Sequence, residues 1–436
     1  MHAFTDPSAG AGARLARRGC GKRLGRLGTV GGVAALCVMP VAIGLGGPTA
    51  RVLAAGPSGR LMLARAAMPF NAYLRGVSVL PGGGAWAVGT NLPAAAPTKG
   101  IIEHWNGSSW RLSPFTTPGG TGAASRLSGV VALSRSDAFA VGAVDPDGDT
   151  TETLIERWNG TSWKRMRSPN PGGIPGVSSL AAVAAASPSQ AWAVGSYFIC
   201  SFCDPAFKQT LIEHWNGHAW RQQRSPSPGS ADSSLLGVTA VSAKDAWAVG
   251  STIDSAGFDQ TLIEHWNGTA WVRVRSPNPG GPNRSNVLYS VAAVSSSDIW
   301  AVGTAVQGLT TDTLIEHWNG SAWKQVRSAQ GPAGSTGSFL YAVAVASASR
   351  AWAVGTYAKN GAEQTLIERW KGTSWARVVS TDPGGPLHTN LLSAVAVGSA
   401  SSVWSAGFFD ATGVPDRTLT EHWNGQAWST VPSPSR

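Results

Sequence analysis

The chain is expected to be all-β and built from tandem four-stranded units, and three observations carry that expectation. First, its 20 tryptophans fall into recurring positions. Trp86, Phe139, Trp192, Trp247, Trp300, Trp352 and Trp404 hold one; Trp105, Trp158, Trp215, Trp266, Trp318, Trp370 and Trp423 a second; Trp110, Trp163, Trp220, Trp271, Trp323, Trp375 and Trp428 a third. Second, the first position recurs at intervals of 53, 53, 55, 53, 52 and 52 residues, which counts seven units. Third, only 13% of residues are charged while 54 Gly and 27 Pro are spread along the chain, which favours short strands and turns over long helices. Antiparallel four-stranded units repeated around a channel make a β-propeller, so the prediction is a seven-bladed β-propeller with about 52 residues per blade. A linear solenoid would need shorter repeats and distinct polar caps.

In chain order, the first segment reads as an address. Arg14, Arg17, Arg18, Lys22, Arg23 and Arg26 precede an apolar run from Leu27 to Leu45, and Val52-Leu53-Ala54 suits a cleavage site. This is the layout of a secretory signal over residues 1–54, with a cell-surface anchor as the alternative if it is not cleaved. Residues 55–72 then form a linker, in which Leu61-Met62-Leu63-Ala64 could add a closing strand, and residues 73–434 form the propeller. The formal charge of +10 is concentrated at the start. Removing the seven basic residues and one acid of 1–54 leaves 27 basic and 23 acidic residues, with no basic stripe interleaved with aromatics. Nucleic acid is therefore not expected as a partner.

Within a unit, the fourth serves as the pattern. Leu236–Ser242 is expected as strand a, Ala246–Ser251 as b, Thr261–Trp266 as c and Trp271–Arg275 as d. Strands a and b are rich in Ala, Val and Gly, which suits crowding near an axis, and c and d carry the large aromatics of a wider rim. Asn267-Gly268 is expected to turn the chain between c and d as a type I′ hairpin. The tight a–b and c–d connections alternate with longer, variable b–c and d–a connections, which emerge together on one face.

The order of apolar strand, Ala-Val-Gly, loop, Ile-Glu-His-Trp-Asn, turn, Trp and Ser-Pro resembles kelch-type propeller repeats over residues 73–434. The chain departs from that pattern in having one Gly (Gly250, for example) where kelch repeats have two, and Trp266 where they usually have Tyr. A weaker likeness to the Asp-box turn of sialidase-type propellers runs through Gly268-Thr269-Ala270-Trp271, without the defining Asp.

The repeat itself carries titratable side chains. Glu103, Glu156, Glu213, Glu264, Glu316, Glu368 and Glu421 recur on strand c. One carboxylate per sheet, with sheets roughly 10 Å apart, does not give the pairing of about 5–9.5 Å that glycoside hydrolysis uses, so a structural role is expected. The adjacent His104, His214, His265, His317 and His422 are replaced by Arg157 and Arg369 in two units, which argues against a shared metal site. No catalytic residue is assigned.

Three loops differ from their counterparts. Asp145, Asp147 and Asp149 alternate as calcium ligands can, although Gly148 comes early for an EF-hand-like loop; an acidic solvated turn is the alternative. Cys200 and Cys203 are expected as a local disulfide in an oxidising compartment, with a pair of free loop thiols as the alternative, beside Tyr197, Phe198 and Phe202. Phe408-Phe409-Asp410 offers aromatics to a ligand or to its own loop. No cofactor beyond possible calcium is expected.

The sequence thus points to a secreted or cell-surface monomer, a non-catalytic module that binds an extracellular glycan or protein through its b–c and d–a loop face. The alternative is a glycan-active enzyme with acidic, Tyr or Arg residues converging at the channel mouth.

Overall fold

The structure, a computed structural model, describes residues 70–80, 83–93, 96–117, 119–120, 122–148, 150–173, 176–198, 207–226 and 232–434. The signal region, the Leu61–Ala64 segment, Asp149, Cys200 and Cys203 lie outside the described residues. Among the described residues there are 28 strands and no helix, and no helix is long and apolar enough to cross a membrane.

The strands pair as antiparallel meanders of four. In the first, Phe70–Val79 (a), Ala85–Pro93 (b), Lys99–Trp105 (c) and Trp110–Leu112 (d) lie side by side in chain order. Five sheets have four strands, and the sixth has eight because two meanders are joined through one parallel pairing, Thr311 with Gly337. This is the architecture of β-propeller blades. Strand a begins at Phe70, three residues before the expected boundary, and the last strand ends at Val431.

The single glycine of Ala-Val-Gly has a physical cause. In each meander, strand a bulges by one residue after a buried leucine, as between Leu74 and Gly76 opposite Gly89 and Val88. The bulge drives a strand-a carbonyl against strand b: a Cβ on Gly89 would overlap the Tyr73 carbonyl oxygen, and one on Gly250 the Ser234 carbonyl oxygen. Only glycine leaves that space.

The c–d connection differs from the expected type I′ turn. Trp266 pairs with Trp271, so the connection is a four-residue loop, Asn267–Ala270. Gly268 has φ 92°, but no Asn of these turns lies in the left-handed region. The Asn267 side chain instead accepts from the N–H groups of Thr269 and Ala270, each at 3.0 Å. Asn is thus selected as a side-chain acceptor closing the turn, more than for a positive φ.

Neighbouring units join through tryptophan. Trp86 of the first unit lies 5.1 Å from Trp158 and 5.0 Å from Trp163 of the second. Phe139, which stands in for Trp, meets Trp215 and Trp220 of the third unit in the same way. The chain of contacts returns to its start, because Trp404 of the last unit lies 4.8 Å from Trp105 and 5.2 Å from Trp110 of the first. Leu127 and Leu154 pack with Trp86 and Trp163 in a core shared by two units, and each seam is built alike. Aromatic rings and aliphatic side chains are buried together at every seam, removing apolar area from water.

Candidate functional site

The repeated glutamates are buried clasps. Glu213 accepts from Ser168 Oγ of the preceding unit at 3.1 and 2.9 Å, and Glu264 from Ser225 Oγ at 2.9 and 2.8 Å. Ser276, Ser328 and Ser380 serve Glu316, Glu368 and Glu421. Ser433, near the end of the described chain, donates to both oxygens of Glu103 at 2.8 Å and so ties the last unit to the first. Burial raises these carboxyls, to about 8 for Glu213 and Glu316 and about 7 for Glu264 and Glu421, with the serine hydrogen bonds opposing the rise.

One seam lacks its clasp. Phe115 occupies the place of the serine after the first d strand, counting five residues from Trp110. Glu156 across that seam is 1% exposed, its Oε1 has no hydrogen-bond partner, and burial lifts its carboxyl to about 7.

The histidines are packing residues too. The His265 ring stacks on Trp247 at 4.0 Å and 21°, and its Nε2 meets Asp245 Oδ1 at 2.9 Å. Arg157 reproduces both contacts, lying 5.1 Å from the Phe139 ring centroid and pairing with Asp137 at 2.9 Å. Arginine can replace histidine here because both present a planar cation or donor to an aromatic face.

The three singled-out loops divide differently. Asp145 accepts the Gly148 N–H at 2.6 Å and Asp147 the Thr150 N–H at 2.9 Å, so both oxygens close their own turn. Among the described residues no cluster of three or more His, Cys, Asp or Glu has metal-binding geometry. Phe408 packs edge-on to Tyr73 of the first unit at 4.6 Å, Phe409 joins the last unit's core, and Asp410 accepts the Thr389 N–H.

Where the units diverge is strand a. Leu74, Leu127, Leu180, Leu235, Leu288, Leu340 and Leu392 repeat without change and are buried. The bulged residue after each is Arg75, Ser128, Ala181, Leu236, Tyr289, Tyr341 or Ser393. The residue before each is Tyr73, Arg126, Ser179, Ser234, Val287, Phe339 or Leu391. These positions lie near the start of strand a, on the side of the b–c and d–a connections. Neighbouring a strands crowd together there: a Cβ on Gly76 would stand 3.1 Å from Ser128 O, and one on Gly237 2.9 Å from Tyr289 O.

The inner rim is therefore chemically one-sided. The side chains of Arg75 and Arg126 reach solvent along this rim while neighbouring strands partly desolvate both guanidiniums, which lowers both pKa values, and the charge of Arg75 lowers Arg126 further. Tyr73 donates to Asp416 of the last unit, and burial together with that bond raises its phenol. Tyr289 and Tyr341, from adjacent units, have ring centroids 5.5 Å apart. Sequence reasoning singled out none of these residues. The signal that could have found them was the variable pair flanking an unvarying leucine.

No family model matches the chain, and no curated protein matches it by sequence. Solved structures similar in fold include a polysaccharide lyase, an ulvan lyase bound to a sulfated GlcA–Rha saccharide, at TM-score 0.49 and 9% identity, covering 84% of this chain and 97% of that one. A fucose-specific lectin from Aleuria aurantia aligns at TM-score 0.42 and 12% identity, covering 85% and 99%. An α-L-arabinanase from Penicillium chrysogenum aligns at TM-score 0.44 and 11% identity, covering 69% and 93%. At these identities the neighbours do not assign a ligand to this chain.

Proposed function

We infer that the chain is an exported, non-catalytic, seven-bladed propeller of kelch-like repeats that binds an extracellular glycan or protein through its b–c and d–a loop face. One observation carries the reading: side chains diverge around an unvarying leucine at the inner rim of that face, while the Glu, His and Trp of the repeat are consumed by packing. Variable side chains on a rigid scaffold are where recognition usually sits. The unbroken cycle of seams, through Trp404 against Trp105 and Trp110, supports seven units in a closed ring.

Arginines on one arc and tyrosines on another suit a ligand with an acidic or hydroxyl-rich end and an apolar face. A glycan and peptide binding screen tests this with Arg75→Ala and the double variant Tyr289→Phe/Tyr341→Ala. Weakening of the selected ligand by roughly tenfold in either variant is expected, since each removes a central polar or aromatic contact. Binding that survives both variants at full strength would place recognition elsewhere.

A glycan-active enzyme is the second reading, favoured by Tyr73, Arg75 and Asp416 meeting from the first and last units at that mouth. Product formation from a polysaccharide, lost in Asp416→Asn with the fold retained, would promote it over simple binding.

A further inference from the structure

The outermost strands carry an asymmetry that the mouth does not explain. It corrects the expectation of no basic stripe beside aromatics, since residues about 50 positions apart in sequence line up only when the units stack. In the four residues after the d-strand Trp, the second to fifth units hold nine basic residues: Lys164, Arg165, Arg167, Arg221, Arg224, Arg273, Arg275, Lys324 and Arg327. The sixth, seventh and first units hold two there, Arg377 and Arg111, and neither group holds an acid. The fourth of these positions is the sharpest: Arg167, Arg224, Arg275 and Arg327 in succession, then Val379, Pro432 and Pro114. All four arginines are exposed. No hydrogen bond or ion pair from them occurs within the described chain.

These arginines border grooves between units. Arg165 and Arg167 line one of about 790 Å³ whose far wall includes Trp220 of the next unit. Arg224 lines a second, about 490 Å³, against Trp266 and Trp271. Arg273 and Arg275 line a third, about 910 Å³, against Trp318 and Trp323. Arg327 holds the matching place at the following seam. In the first groove Glu152 pairs with Arg165 at 3.0 Å, which leaves Arg167 as the unpaired cation.

Charge on an edge strand often only prevents sheet-to-sheet aggregation. That role would apply to every unit, and it does not account for the bare strands of the sixth, seventh and first. We propose that the outer rim of the second to fifth units is a multivalent site for a linear acidic polysaccharide. Each groove would take one anionic pyranose, its carboxylate or sulfate on the arginine and its ring against the tryptophan edge. A single such contact is weak, and linkage along one chain makes the affinity. Grooves of this size with aromatic walls suit sugar rings, whereas nucleic-acid bases would need exposed stacking platforms. This surface is distinct from the inner mouth, so the two readings stand or fall separately.

The test is affinity electrophoresis and titration calorimetry of the mature chain with polygalacturonate, a sulfated galactan, a neutral linear glucan and duplex DNA. Binding to at least one acidic glycan is expected, with none to the neutral glucan, and loss at high salt as exposed charges are screened. The quadruple variant Arg167→Gln/Arg224→Gln/Arg275→Gln/Arg327→Gln should weaken it roughly a hundredfold and each single variant less, because avidity is shared among the grooves. Its melting temperature should match wild type, since the replaced side chains are exposed and unpaired. The double variant Arg111→Gln/Arg377→Gln should bind as wild type. The proposal is overturned if no acidic glycan binds at low salt, if the quadruple variant binds normally, or if the control variant loses as much. DNA bound at least as tightly through the same arginines would also overturn it.

Discussion

The seam between the last and first units makes a quantitative prediction. Ser433 is 4% exposed and donates to both oxygens of Glu103, which is fully buried. Ser433→Ala removes a hydroxyl and leaves its cavity too small for compensating solvent. A hydrogen bond to a buried charged or highly polar group is worth about 1–3 kcal/mol when its partner is left behind. Ser225→Ala removes the equivalent donor from Glu264 at an interior seam, with nearly the same geometry. If the chain closes on itself, the two variants should lose similar stability, read as a shift in urea midpoint at unchanged slope. If the ends were apart, Glu103 would already be solvated and Ser433→Ala would cost nothing measurable. A midpoint unchanged in Ser433→Ala but lowered in Ser225→Ala would refute closure.

Three further outcomes are expected. Stability should fall as pH rises from about 5 to 8. The carboxyls of Glu156, Glu213, Glu264, Glu316 and Glu421 are raised from 4.5 to about 7 or 8, so their contribution is complete below 4.5 and is lost as pH climbs through the folded values. Burial lowers His104, His214 and His422 and acts oppositely, removing stability as pH falls below 6.5, but on fewer groups; thermal melts across that range provide the check. Glu156→Gln should raise the melting temperature at pH 8 more than Glu264→Gln does, because only Glu156 lacks a serine donor; equal shifts would remove the significance given to the missing clasp. Gly250→Ala should destabilise by about 3 kcal/mol or more, among the largest single-site effects, because the new Cβ meets a backbone carbonyl that cannot move without undoing the bulge.

Much of the fold was legible because each unit repeats its evidence. The tryptophan spacing and the alternation of small-residue and aromatic strands located every meander, to within a few residues at strand ends such as Phe70 and Ser233. The structural role expected for the strand-c glutamates was legible from their repetition alone. Their partner was not, because Ser225 and Glu264 are separated by 39 residues and meet only when two sheets stack. The turn was misread for a related reason: Asn-Gly signals two turn chemistries, and the side-chain acceptor role depends on the four-residue loop length set by Trp266 pairing with Trp271. The inner-rim residues were hidden because a bulge, which no composition reveals, shifts the register of strand a at Arg75 and Tyr289. At the acidic turn, the backbone N–H partners of Asp145 and Asp147 depend on the local chain path and were not legible from the alternating carboxylates.

The central claim is that the repeat builds a scaffold and performs no chemistry. Purified protein incubated with a panel of neutral and acidic polysaccharides tests it most directly, with retention and product release measured on the same samples. Retention of a ligand without new reducing ends or unsaturated products is the predicted result. Product formation that disappears in Glu213→Gln, while the variant remains folded, would contradict it.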